Sequence, residues 1–83
     1  MYEGELVEKL ADLCHDQWSG WMKYLFSRCS VNFDGSVTIP EWAVTRWKRQ
    51  MLEDYKDLSE NEQNSDKDEA RRFIELLKQE GIL

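Results

Sequence analysis

Hydrophobic residues near the N-terminus recur at alternating steps of four and three. This N-terminal stripe consists of Val7, Ala11, Cys14, Trp18, Trp21 and Leu25. Steps of this size place side chains on one face of an α-helix. The pattern predicts a first helix from Glu3 or Glu5 to Arg28, with the stripe as the seam that organises the fold.

Two positions in this helix allow more than one interpretation. His15 lies one turn before Trp18, at the flank of the stripe, so the two rings are either part of the core or the walls of a pocket. Gly20 costs about 1 kcal/mol relative to Ala inside a helix. It therefore predicts a close approach by a neighbouring helix or by a ligand.

Turn and capping signals define the start of the next helix. Asp34-Gly35 lies between apolar residues and predicts a short hairpin or tight loop after the first helix. Thr38 and Glu41, with Pro40 between them, have the spacing of a capping box. A second helix is therefore expected from this point to Met51 or Leu52.

The second helix is expected to have two different faces. Its apolar face, which we expect in the core, consists of Val44, Trp47 and Met51. The nearly opposite face carries Trp42, Arg46 and Arg49. The latter group is either a solvated cation–π arrangement or a site for a planar or anionic ligand.

The C-terminal third shows two further helix starts. Ser59 and Glu62 form a second capping box that predicts a short helical turn, and Ser65 with Asp66 predicts another start. The final helix should end at Gly81 and direct four residues inward: Ala70, Phe73, Ile74 and Leu77. The predicted fold class is mainly α, with three main helices, one short helix and a short hairpin or tight loop between helices 1 and 2.

Composition limits the classes of function. Eighty-three residues, 41% of them hydrophobic, suit a single domain over residues 1–83 with one small core, for which dimerisation would be a natural source of stability. The net charge of −6 argues against a nucleic-acid polymer or an anionic membrane as partner. The chain has no apolar N-terminal run and no stretch long enough for a membrane span. We therefore expect a cytoplasmic protein.

The two cysteines are expected to lie too far apart to form a disulfide bond with each other. Cys14 and Cys29 would be about 22 Å apart along one helix, so free thiols are expected. His15 is the only histidine, and no nucleophile, zinc-ligand or phosphate-loop motif accompanies it. The expectation is a protein that is not an enzyme and has no metal or other cofactor.

The segment from Ser30 to Glu41 contains part of the EF-hand calcium pattern. Within its twelve residues Asn32 is third, Asp34 fifth and Glu41 twelfth, with a glycine at the sixth place. Ser30 takes the first place, where the pattern has an aspartate. The loop is therefore short of charge, and calcium binding is the less favoured reading.

The order of motifs along residues 6–81 resembles the RyR domain. That module is repeated in ryanodine receptors and also occurs as small stand-alone proteins in bacteria and phages. The matching residues are Leu10-Ala11, His15-x-x-Trp18, Tyr55, Leu58-Ser59-x-x-Glu62, Ser65-Asp66-Lys67, Ala70, Ile74-x-x-Leu77 and Gly81. The chain departs from the family at Asp54, Gln63 and Lys67, where Pro, Lys and Arg are common.

The resemblance implies a helical module that recognises a nucleotide or a nucleotide-derived signal, which a phage version could sequester. By that resemblance Trp18 would stack on a base, His15 would flank it and Asp66 would accept a hydrogen bond from an amine. Trp42, Arg46 and Arg49 are added from helix geometry, the arginines as phosphate ligands. A homodimer would complete the pocket. The alternative is a protein-interaction or structural module with no small-molecule ligand.

Overall fold

The computed structural model describes residues 2–83, which are mainly helical as predicted. The elements follow the order α1 (Glu3–Arg28), β1 (Ser30–Val31), β2 (Val37–Thr38), α2 (Glu41–Leu52), a 3₁₀ turn (Tyr55–Asp57) and α3 (Glu60–Gln79). The main backbone contact between helices is that of α1 with α3. No helix among these residues is long and apolar enough to cross a membrane.

The face of α1 that contacts α3 is not the N-terminal stripe. Leu6, Leu10, Leu13 and Gln17 are the covered positions, and of these Leu13 is buried. Gln17 Nε2 donates a hydrogen bond to the carbonyl oxygen of Glu69 in α3 at 3.2 Å. The prediction that the stripe is the internal seam is therefore wrong. Two adjacent stripes of α1 share the same spacing, and α3 covers the one that begins at Leu6.

The connection between α1 and α2 is the predicted hairpin. β1 and β2 are antiparallel, with Val31 opposite Val37. Gly35 has φ +87°, a conformation that favours glycine, and its amide donates to the carbonyl oxygen of Asn32. The Asp34 carboxylate accepts hydrogen bonds from the Ser36 amide at 3.0 Å and the Ser36 hydroxyl at 2.6 Å. These bonds hold the turn in shape.

The predicted capping box at the start of α2 is wrong. The N-cap is Pro40, in an extended conformation, and no side chain caps the helix. The Thr38 hydroxyl instead donates to Asn32 Oδ1 at 3.2 Å within the hairpin, so it is not available for the helix. The α2 helix ends at Leu52, within the predicted bounds.

One continuous helix replaces the two starts predicted near the C-terminus. The capping box of Ser59 and Glu62 is confirmed, but α3 then runs unbroken to Gln79, and the predicted start at Ser65 is wrong. The short helical element precedes the box as the 3₁₀ turn. At the C-terminal end Gly81 has φ +75°, and the amides of Gly81 and Ile82 donate to the carbonyls of Lys78 and Leu77. This arrangement is a Schellman motif, as the glycine predicted.

The described residues bury little apolar surface. Leu13 and Ala43 are the only buried hydrophobic residues among them, and Ala70 and Ile74, which we expected to face inward, are exposed. The radius of gyration is 16.5 Å, against about 12 Å for a compact chain of this length. Nothing lies within 4 Å of a Cβ placed on Gly20, so the expected close approach by a neighbouring helix of the same chain is wrong. The helices form a thin, open layer.

Candidate functional site

The junction of α2 and α3 contains the one buried charged residue of the described chain. The Glu62 side chain lies in the first turn of α3 and is only 3% exposed. Its Oε2 is 2.7 Å from Arg49 Nη2 and 3.6 Å from Arg46 Nε, both on α2. Its Oε1 accepts a hydrogen bond from the Ser59 amide at 3.1 Å. One carboxylate therefore caps α3 and binds α2 to it.

The electrostatics of this junction follow from these contacts. The hydrogen bond from Arg49 is the main reason that the pKa of Glu62 falls from 4.5 to about 2, against the opposing effect of burial. The same bond raises the pKa of Arg49. Arg49 also forms an ion pair with Glu53 at 2.8 Å. Its charge is thus already compensated by two carboxylates, which leaves it poorly suited to a phosphate.

A cleft of about 540 Å³ opens between the three helices. Its aromatic walls come from α1 and α2, where the Tyr24 and Trp47 rings lie 6.2 Å apart. Trp42, outside the cleft, meets Trp47 edge-on at 6.3 Å. The lining of the cleft is Trp21, Met22, Tyr24, Leu25, Arg46, Trp47, Gln50, Met51, Asn61, Glu62 and Ser65. The arrangement could accept a planar apolar group beside the Arg46–Glu62 pair.

The six residues predicted as ligand-binding occupy separate places. Arg46 lines the cleft, whereas Trp42, Arg49, Asp66, His15 and Trp18 are not part of its lining. On α1 the His15 and Trp18 rings stack on each other, with their centroids 6.0 Å apart and their planes at 24°. Trp18 is 58% exposed. The geometry therefore divides the predicted site between a pair on α1 and a group on α2, with Asp66 half-buried on α3.

The hairpin combines elements of a calcium loop with internal hydrogen bonds. It connects two helices, and Glu41 is exposed in the first turn of α2. The bonds from Ser36 lower the pKa of Asp34, and the Asn32 amide nitrogen donates to the hydroxyls of Ser36 and Thr38. Within residues 2–83 no three His, Cys, Asp or Glu side chains gather in a way that could hold a metal ion.

The N-terminal stripe is the largest feature whose environment differs from the prediction. Val7 is 55% exposed, Trp18 58% and Trp21 44%, while Ala11 and Cys14 are also exposed and Leu25 is half-buried. An amphipathic pattern identifies apolar faces but does not say which polypeptide covers each one. The ion pairs of Glu62 with α2 were not predicted from the sequence. The capping box explains a glutamate at this position without any partner in another helix.

No family model, curated protein or solved structure matches the chain. The resemblance to the RyR domain therefore stays a prediction.

Proposed function

We propose that the chain is a non-enzymatic protein-interaction module that covers its aromatic surface with another polypeptide. The observation that carries this proposal is the exposure of the N-terminal stripe, with two tryptophans and a valine on the surface of a chain that buries two hydrophobic residues in its described part. Soluble monomers rarely leave so continuous an apolar strip uncovered.

The fixed geometry of the α2–α3 junction also favours binding of a macromolecule. The Ser59 cap and the ion pairs of Glu62 satisfy the buried polar atoms on that side of the molecule. They hold α2 and α3 together without a large apolar core. A layer of this kind presents its remaining apolar faces at fixed positions, which is what a preformed binding surface requires.

Iodide quenching of tryptophan fluorescence in the dilute chain tests this proposal. The indoles of Trp18, Trp21 and Trp42 should be accessible, and thermal unfolding should begin at low temperature because little apolar surface is buried. Burial of the stripe by a partner should reduce the quenching. A dilute monomer with protected indoles and a sharp, high melting transition would contradict the proposal.

Nucleotide binding, our expectation from the resemblance, is a second candidate. The stacked and exposed His15–Trp18 pair supports it, because a free indole face can stack on a base for about 1 to 3 kcal/mol. In this proposal the base lies on Trp18 and a homodimer supplies the second wall of the pocket. Arg46 is the better phosphate ligand of the two arginines, since its contact with Glu62 is the longer one.

Thermal shift with mono-, cyclic and dinucleotides tests that candidate. A binding nucleotide should raise the melting temperature of the wild-type chain and of Phe33→Ala, whose ring is fully exposed at the hairpin tip. The shift should disappear in Trp18→Ala. No shift with any nucleotide would rule the candidate out.

Calcium binding in the segment from Ser30 to Glu41 is a third and weaker candidate, because the segment joins two helices but no three acidic side chains gather in the described part of the chain. The glycine at the sixth place has the positive φ that the turn of an EF-hand loop requires, and α2 begins at the twelfth place. Calorimetry should detect weak calcium binding that Ser30→Asp strengthens, because the variant supplies the absent acidic ligand. Glu41→Gln should weaken binding and Glu53→Gln should not. An unchanged heat signal and melting temperature with calcium and with chelator would exclude this role.

A further inference from the structure

The N-terminal stripe follows a strict heptad pattern. Its residues alternate between the d and a positions of a coiled coil over residues 7–25, in the order Val7, Ala11, Cys14, Trp18, Trp21 and Leu25. Five of the six side chains are exposed, and α3 lies against the neighbouring face of the same helix. At the C-terminal end of the stripe, Trp21 and Leu25 also line the cleft between the three helices. The helix α1 thus has an unused coiled-coil seam beside its intramolecular one.

The single chain exposes more surface than a compact monomer of its mass. The accessible surface is 6680 Å², whereas a compact monomer of 10.0 kDa exposes about 5,200 Å². The excess of about 1,500 Å² per chain includes the open cleft as well as the stripe, and it is within the range that one subunit contributes to an obligate homodimer. A second copy carries the same exposed stripe, so each copy can cover that of the other.

The sizes of the side chains along the stripe decide the orientation. Its N-terminal half is small, with Val7, Ala11 and Cys14, and its C-terminal half is bulky. In an antiparallel pair centred on the stripe, each a residue meets a d residue of the second copy. The resulting layers are Trp18 with Cys14, Trp21 with Ala11, and Leu25 with Val7. Each layer combines a larger and a smaller side chain, as close packing requires.

A parallel pair would pack much less well. It would place Trp18 against Trp18 and Trp21 against Trp21, while Ala11 opposite Ala11 would leave a gap. The antiparallel arrangement also places the N-terminus of each helix dipole beside the C-terminus of the other. One flank of the stripe consists of Glu8, His15 and Met22, of which only Glu8 carries a formal charge and Met22 lines the cleft between the helices.

We propose that two copies of this chain pair through α1 in antiparallel orientation, with the N-terminal stripe as the shared core. The inference rests on the proposed interaction function and names its partner as a second copy. A two-fold axis crosses the seam midway between Cys14 and Trp18. The cleft between the three helices then lies next to the interface, because Trp21 belongs to both.

Light scattering coupled to size-exclusion chromatography, applied to the full chain, tests the pairing. The wild-type chain should elute as a dimer, and Trp18→Glu should raise the dimer dissociation constant by roughly thirty-fold or more. Phe33→Glu is the matched control: it makes a similar aromatic-to-acid change at the hairpin tip and should remain dimeric. A wild-type monomer at all concentrations, or a control as weak as Trp18→Glu, would overturn the inference.

A second test exchanges the large and small side chains at positions 14 and 18, and it remains decisive if Trp18→Glu fails to fold. Cys14→Trp alone should weaken the dimer, because two indoles then meet in one layer. The double variant Cys14→Trp with Trp18→Cys exchanges the two sizes within that layer and should recover dimerisation. A double variant weaker than Cys14→Trp alone would contradict the antiparallel layers.

Spin labels at Glu3→Cys, with Cys14→Ala and Cys29→Ser, measure the orientation directly. Antiparallel helices should place the two labels about 39 Å apart, whereas a parallel pair would place them about 10 Å apart. The short distance would overturn the proposed geometry. A monomer whose indoles stay accessible to iodide would refute the second copy and leave the interaction function standing. A monomer with protected indoles would refute both.

Discussion

Helix α1 has two apolar faces of the same spacing, and they have opposite environments. One face, with Leu10, Leu13 and Gln17, lies against α3, and the other, the N-terminal stripe, is uncovered in the single chain. The covered face consists of leucines and makes a polar contact through Gln17. The uncovered face has two of the four tryptophans. The two largest apolar side chains of α1, Trp18 and Trp21, thus belong to the surface that is available to a partner.

The junction of α2 and α3 explains how the fold tolerates this distribution. Ionic and capping contacts concentrated on Glu62 hold two helices together where apolar burial is scarce. Apolar side chains then remain available outside the single chain. Four measurements test how the two faces of α1 and the contacts of α3 contribute to stability.

Leu13→Ala should have the largest effect. Leu13 is buried between α1 and α3, so its truncation should cost about 2 kcal/mol or more of unfolding free energy. Cys14→Ala, one residue away on the uncovered face, should cost about 0.5 kcal/mol or less in the dilute chain. Urea unfolding at low protein concentration measures both. Equal losses would show that the two faces do not differ in the monomer.

Acidification should destabilise the α2–α3 junction. The pKa of Glu62 is lowered, so its contribution is complete above pH 4.5 and is lost as the pH falls towards about 2. The unfolding free energy should decrease over that range, and Glu62→Gln should lower stability at neutral pH and flatten this part of the profile. Glu60→Gln, an exposed residue of the same turn, is the control and should keep the wild-type profile.

Ser59→Ala should cost about 1 kcal/mol, because the hydroxyl of Ser59 accepts the hydrogen bond of the Glu62 amide at 3.2 Å. Ser65→Ala should have a neutral or slightly stabilising effect, since Ser65 lies inside α3 and alanine favours helices. Chemical unfolding of the two variants provides the comparison. A loss at Ser65 equal to that at Ser59 would indicate a second helix start after all.

Gly20→Ala should stabilise the chain by about 0.5 to 1 kcal/mol. The position is inside α1 and the added methyl group meets nothing within 4 Å, so only the helix propensity changes. A rise in melting temperature of the dilute chain is the expected result. A fall would mean that a neighbouring group approaches Gly20 more closely than in this structure.

Local signals predicted the secondary structure better than the site. Asp34-Gly35, Ser59 with Glu62, and Gly81 each fix a turn or a helix end through bonds within a few residues, and all three predictions are confirmed. Thr38 failed as a cap because its hydroxyl donates within the hairpin. The prediction that Arg49 binds phosphate encounters a similar problem, because Glu62 and Glu53 already bind its guanidinium group. Glu62 lies thirteen residues away in α3, beyond the reach of a local pattern.

Local sequence patterns are enough to predict that the chain is mainly helical, where its turns fall and that α1 is apolar along the N-terminal stripe. These features depend on propensity, periodicity and capping, which act over a few residues. That α3 covers the Leu13 face and that Glu62 joins α2 to α3 is visible in the three-dimensional structure alone. Which of two equally spaced faces is buried depends on where the rest of the chain lies, and no local spacing contains that information.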